Sequence, residues 1–255
     1  MLNLIDFNKA KFHNEPFSYF EIEDVFDQVT LEKLIEEFPD VSTTKPTMGG
    51  RRKLEGKLAN NWIKAAKTWQ KFYDLINSQE TLDFITNKYK DELKYWKSTI
   101  DHKTKISDCT TYIDWSISEN GYKREIHCDS DPRIWNFLIY LNDKQWEGGD
   151  FVIHSSEKTS YYKQHYWHKN LPVKRTIEAK KNFGVFFLST PNSYHSVTEQ
   201  FNTIEPRKFI YGSITNSKKS FNRKMPDNPN LIHLVTDVYD ELQEYGRKIK
   251  RRITK

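Results

Sequence analysis

His127 and Asp129 stand two positions apart in YKREIHCDSDPRIW, with Cys128 between them. Alternate residues of an extended strand point to one face. An extended 122–129 therefore projects the imidazole and the carboxylate together and turns Cys128 away. A metal site needs such convergence and a further ligand from elsewhere in the chain. His195, in FFLSTPNSYHSVTEQ, is the best candidate, at the entry to a late strand that follows a short apolar one. Two histidines and one carboxylate on one octahedral face leave three positions open, the ligand set of non-haem Fe(II) centres. Arg207 follows His195 by twelve residues and opens RKFIYGSIT. In a strand it shares a face with Phe209, Tyr211 and Ser213, and its guanidinium can pair with a carboxylate through two parallel hydrogen bonds.

Similar residues occur elsewhere with less support. His13 and Glu15 repeat the spacing of His127 and Asp129. His165 and His168 form an HxxH in a lysine-rich insertion with no acid or cysteine beside them, which weighs against structural zinc. Taken singly, His127 and His195 read as hydrogen-bonded strand histidines and Arg207 as a surface cation. Their order and strand context change that reading.

The elements that must position these residues begin with an early strand in 16–26. A helix follows, with Leu31, Leu34, Ile35 and Phe38 on one stripe, Thr30 as its cap and Pro39 as its stop. Residues 42–57, broken by Pro, Gly-Gly and charge, read as a loop, either a lid or a surface excursion. The helical stripe returns through Trp62, Ala65, Ala66, Trp69, Phe72 and Ile76, and a short helix covers Glu80 to Tyr89. From about residue 107 the texture changes to short β-type runs with close turns, the pattern of a sandwich or barrel. A last helix is expected from Asn230, with Leu231, Leu234, Val235, Val238, Leu242 and Tyr245 on one side. The fold class is α+β. It is read as one domain over 1–255: a mainly helical layer to 106, a β-core over 107–215, and a helix with a basic tail over 216–255.

With 255 residues, including 7 Trp, 14 Tyr and 16 Phe, the chain can bury a substantial core. Two cysteines are too few for a disulfide framework or a four-sulfur zinc site. No apolar stretch reaches membrane-spanning length and no signal peptide is read, so a cytoplasmic protein is expected. The net charge of +5 is modest, and GRKIKRRITK at the end carries six basic residues without an acid. A solvated helix end accounts for that tail; a polyanion contact is the other reading.

The order His127-x-Asp129, His195, Arg207 resembles the 2-oxoglutarate- and Fe(II)-dependent oxygenase superfamily. NGYKREIHCDSD, FLIYLND, WEGGDFVIH and GVFFLSTPNSYHSV are similar to its prolyl-4-hydroxylase-like branch, as is PFSYFEIEDVFDQVTLEKLIEEFP near the N-terminus. The resemblance spans roughly 16–40 and 107–215. It implies a double-stranded β-helix, a jelly-roll core with the metal in its mouth, flanked by the N-terminal helices and the C-terminal helix. It further implies that His127, Asp129 and His195 bind Fe(II) and form the catalytic centre. Arg207 would anchor the distal carboxylate of 2-oxoglutarate, with Tyr140 adding a hydrogen bond. O2 is the co-reactant and ascorbate an accessory reductant. Two features depart from the family pattern: Tyr122 and Tyr112 stand off the usual tyrosine offset before the His-x-Asp, and many relatives carry lysine at Arg207. The implied reaction is hydroxylation of an unactivated carbon, with 2-oxoglutarate converted to succinate and CO2. Asp129 fills the place that halogenating relatives leave for chloride, which argues against halogenation.

The expected substrate is a small molecule or a peptidyl side chain, and cations in 42–57 and 155–181 favour an acidic one. Two other readings compete: a catalytically silent jelly-roll binding module, and an oxygenase acting on nucleic acid. An intact set of four site residues speaks against the first. The absence of a dedicated recognition motif speaks against the second.

Overall fold

The computed structural model describes residues 4–42, 44–47, 49–91, 109–129, 133–155, 170–190 and 192–215. Eleven strands and four α-helices occur among them: β1 (Lys11–His13), β2 (Tyr19–Glu23), α1 (Gln28–Glu36), β3 (Arg52–Leu54), α2 (Gly56–Trp62), α3 (Lys67–Ile76), α4 (Gln79–Lys88), β4 (Thr110–Ser118), β5 (Arg124–His127), β6 (Arg133–Tyr140), β7 (Phe151–His154), β8 (Val173–Ile177), β9 (Phe183–Leu188), β10 (His195–Val197) and β11 (Arg207–Thr215). Seven strands form one sheet in the order β1-β2-β9-β6-β11-β4-β3, and four form a second in the order β5-β10-β7-β8. Every strand pairing is antiparallel. The fold is α+β with a jelly-roll core, as the sequence implies. No helix among the described residues is long and apolar enough to cross a membrane.

The large sheet is buried on both faces, and its alternation sorts side chains into two cores. From β6, Trp135, Phe137 and Ile139 face one core while Leu138 and Tyr140 face the other. On β9, Phe186 and Leu188 go one way and Phe183, Val185 and Phe187 the other. The first core is shared with the helices, through Leu31 and Leu34 of α1, Trp69, Phe72 and Ile76 of α3, and Ile85 of α4. The second lies between the sheets and includes Phe151 and Val197 from the small one. Period-2 strands against period-3.6 helices thus build a layer of helix on sheet on sheet.

Several local readings of the sequence are corrected. The cap of α1 is Asp27, not Thr30: its carboxylate accepts from Thr30 N at 2.9 Å and Thr30 Oγ1 at 2.6 Å. Residues 42–57 are not a loop throughout, since β3 pairs with β4 and α2 begins at Gly56. The stripe from Trp62 to Ile76 belongs to two helices separated by a turn at Ile63–Ala66, both facing the same core. Glu37, at the end of α1, accepts from Thr68 N and Thr68 Oγ1, both at 2.8 Å, and so caps α3 from a distance. Part of the 155–181 insertion forms β8, a hairpin partner of β7. The HxxH pair, the C-terminal helix and the basic tail lie outside the described residues.

Phe137 explains why β11 carries a glycine at 212, its register partner. A Cβ on Gly212 would meet Cζ of the Phe137 ring at 1.9 Å. Gly212→Ala is therefore expected to cost about 1–3 kcal/mol by overpacking. The readout is a lower urea midpoint with an unchanged slope.

Candidate metal centre and its pocket

β5 and β10 are neighbours, and their register sets His127 opposite His195. Asp129 follows two residues after the end of β5. One ligand atom from each of the three lies within 4.8 Å of the others, and all three residues are buried. His127 Nε2 is 3.9 Å from Asp129 Oδ1, and His195 Nε2 is 3.7 Å from Asp129 Oδ2. A single divalent ion could bridge atoms at these separations.

Each ring is held by its other nitrogen. His127 Nδ1 lies 2.7 Å from the Glu125 carbonyl and His195 Nδ1 lies 2.9 Å from the Ser193 carbonyl. A carbonyl only accepts, so each Nδ1 carries the proton and Nε2 keeps its lone pair for the centre. Phe151 stacks on His195 at 5.2 Å and Phe187 meets it edge-on at 4.8 Å, which fixes the ring plane. Burial lowers both imidazoles, His127 to about 3, so both are neutral at physiological pH.

Asp129 is supported on both oxygens. Oδ1 accepts from Arg133 Nη1 at 2.8 Å and Oδ2 accepts from the Tyr211 hydroxyl at 3.0 Å. Burial alone would raise this carboxyl. Arg133, the two imidazoles and the Tyr211 hydrogen bond outweigh it and hold the group well below the ordinary carboxylate range. The Tyr211 hydroxyl also lies 3.1 Å from Asn136 Oδ1, while Asn136 Nδ2 is buried without an acceptor. One phenol proton cannot serve two acceptors. Exchanging the two ends of the Asn136 amide resolves both problems, giving a chain in which Asn136 donates to Tyr211 and Tyr211 donates to Asp129.

The triad opens into a cavity of about 170 Å³. Leu138, Phe151, Phe187, Val197 and Phe209 form its apolar wall, and Arg51, Lys53, Asp114, Arg124 and Arg133 its polar one, with Tyr122 and Tyr211 between. Arg207 is not at this surface. It is buried, its Nε donates to Ser118 Oγ at 3.0 Å and its Nη1 donates to the Gly149 carbonyl. Its Cζ lies 4.8 Å from the Phe209 ring centre, 5.2 Å from Tyr122 and 5.5 Å from Tyr140. The cavity thus ends on two rings that lie against the guanidinium. The Tyr140 hydroxyl is buried with no hydrogen-bond partner. The glycine pair of WEGGDF permits the approach to Arg207: a Cβ on Gly149 would meet Arg207 Nη1 at 2.8 Å, and one on Gly148 would meet the Glu199 carbonyl at 2.0 Å.

The three residues read as ligands are therefore assembled at one point, while Arg207 and Tyr140 form a separate buried pair. Sequence reasoning missed Arg133 and the hydrogen-bonding role of Tyr211, and its offset argument did not anticipate Tyr122 at the cavity wall. For Tyr211 a signal existed, because it shares the Arg207 face of β11. Arg133, four residues beyond Asp129, offered none beyond its charge.

Residues 110–212 match the model of the 2OG-Fe(II) oxygenase superfamily. The fold is similar to an oxidoreductase of the 2OG-Fe(II) oxygenase family from Burkholderia pseudomallei, at 10% identity and a TM-score of 0.51, over 80% of this chain and 87% of that one. It is also similar to the non-heme alpha ketoglutarate dependent epimerase SnoN from nogalamycin biosynthesis, at 11% identity and a TM-score of 0.50, over 83% and 80% of the two chains. A prolyl-4-hydroxylase of Pseudomonas putida aligns at 13% identity and a TM-score of 0.43, over 77% and 91%. No curated protein matches the sequence. The match over residues 110–212 is to the 2OG-Fe(II) oxygenase superfamily, whose enzymes work with Fe(II), 2-oxoglutarate and O2. The neutral two-imidazole, one-carboxylate donor set fits that ion.

Tyr211→Phe removes one support of the Asp129 carboxylate and leaves its packing in place. It is expected to weaken divalent-metal binding by about 10–100-fold, the usual cost of losing an outer hydrogen bond to a ligand. Titration of Co(II) against a competing chelator measures this, and circular dichroism should be unchanged.

Proposed function

We propose that the chain is a hydroxylase of the prolyl-4-hydroxylase-like branch, acting on a C–H bond of a small molecule or a peptidyl side chain. The observation that carries this reading is the convergence of His127, Asp129 and His195 at the mouth of a cavity walled by apolar rings. In it, His127 Nε2, His195 Nε2 and an Asp129 oxygen hold Fe(II). Together with 2-oxoglutarate the ion supplies the activation of O2, one oxygen atom entering succinate as CO2 is lost and the other entering the substrate C–H bond.

The chain supplies orientation. The carbonyls of Glu125 and Ser193 keep the imidazoles in the ligating tautomer. Arg133 and Tyr211 hold the carboxylate. Arg207 Nη2 and the Tyr140 hydroxyl have no partner among the described residues, and they suit the two oxygens of a distal carboxylate, one as cation and one as neutral donor. An arriving carboxylate would reach them past the rings of Tyr122 and Phe209. Phe151, Phe187, Leu138 and Val197 make the wall beside the triad apolar, and exclusion of water there would strengthen the polar contacts at the centre.

The test is succinate formation from 2-oxoglutarate with Fe(II), O2 and ascorbate, with and without a metabolite and peptide extract. His195→Ala is expected to lower it by about 100-fold or more. Arg207→Met is expected to raise the KM for 2-oxoglutarate about 10-fold, with a smaller change in kcat. Full metal loading with no succinate under any of these conditions would leave the chain a silent binding module.

A further inference from the structure

Resting on the reading above, we propose that Arg51 reads an oxyanion of the substrate, so that the molecule hydroxylated carries a carboxylate or phosphate group. Arg51 precedes β3 in a segment that is docked against the core. Gly49 and Gly50 take φ values of 46° and 75°, and a Cβ on them would meet the carbonyls of Gly121 at 2.5 Å and Asn120 at 2.8 Å. Only glycine lets the backbone lie this close to the β4–β5 turn. Thr47 closes the segment, its N and Oγ1 both donating to the Arg51 carbonyl at 2.7 and 3.0 Å.

The guanidinium is clamped along one edge. Nε donates to Ser116 Oγ at 3.0 Å, and Nη2 donates to Ser116 Oγ at 2.9 Å and to Asp114 Oδ1. Nη1 makes no hydrogen bond among the described residues, and Arg51 lines the cavity that holds the triad. Its Cζ lies 5.2 Å from the Phe209 ring, which also carries Arg207 at 4.8 Å. One aromatic ring therefore borders two guanidiniums, one behind the cavity and one in its wall. The cosubstrate has two carboxyl groups, one for the metal and one for Arg207, which leaves Arg51 unassigned.

Asp114 already pairs with Arg51, so what the side chain offers an anion is the unbonded Nη1 edge facing the cavity rather than unpaired charge. A guanidinium already fixed by Asp114 and Ser116 loses little freedom on gripping an anion.

The experiment loads the protein with Mn(II) and 2-oxoglutarate, then titrates it by calorimetry with inorganic phosphate and, separately, acetate at low ionic strength. It compares the wild type with Arg51→Gln and with Arg51→Gln/Asp114→Asn, the second avoiding a stranded buried carboxylate. The wild type is expected to bind at least one anion saturably, and both variants to bind it about 10-fold more weakly or worse. Affinity for 2-oxoglutarate should stay within about 3-fold. Binding of phosphate alone assigns a phosphate ester, and of acetate alone a carboxylate. Equal anion binding in wild type and variants overturns the proposal, as does no saturable anion binding to a wild type that still binds 2-oxoglutarate. Loss of 2-oxoglutarate affinity in step with the anion would reassign Arg51 to the cosubstrate and overturn it too. A metal-loaded wild type that binds no 2-oxoglutarate overturns this proposal together with the hydroxylase reading.

Discussion

A buried carboxylate is the constraint around which this molecule is arranged. Asp129 carries charge inside the protein, where an uncompensated ion is costly. Compensation comes from two directions, Arg133 on one oxygen and Tyr211 on the other, while two neutral imidazoles turn their lone pairs toward the same point. The imidazoles give no charge compensation while neutral. They create instead a cluster of electron-rich atoms that a cation relieves. The site is thus electrostatically suited to receive an ion.

The arrangement depends on both sheets at once. The small sheet brings His127 and His195 into register through β5 and β10. The large sheet supplies Tyr211 from β11, Asn136 from β6, and Arg133 from the start of β6. Packing of the two inner faces, through residues such as Phe187, Leu138 and Phe151, sets the distance between these contributions. Among the described residues, the helices contribute none of the triad or of the cavity lining. They cover the outer face of the large sheet, whose Trp135, Phe137 and Phe186 would otherwise be wet, and so allow a sheet with two apolar faces.

How much of this was legible in the chain follows from the range of each signal. His127 and Asp129 could be paired by strand alternation, a strictly local rule, and His195 by its place at the entry to a late strand. The helical stripes of α1, α3 and α4 were readable because burial imposes a period. The same period concealed the turn at Ile63–Ala66, since two helices facing one core continue one stripe. Asp27 was passed over for Thr30 because both are capping types and only backbone geometry separates them. The charged, glycine-containing segment at 42–57 looked unstructured, yet β3 lies in it, held by pairing with β4 across more than fifty residues of sequence. Tyr122 joins the site through tertiary contacts, and Arg133 pairs with Asp129 four residues away from the start of β6, a spacing that no strand rule reports.

The contact between Arg207 and the Gly149 carbonyl has a kinetic and energetic meaning of its own. The guanidinium gives up its water when the chain collapses, accepting a peptide oxygen, a serine hydroxyl and aromatic faces in exchange. Folding therefore bears the dehydration that a solvent-facing cation would charge to each encounter with an anion. In the role proposed for Arg207, an acid that reached it behind Tyr122 and Phe209 would meet an ion already dry, and the water it sheds would be chiefly its own. Discrimination at that position would then favour acids that shed water readily over those that merely fit.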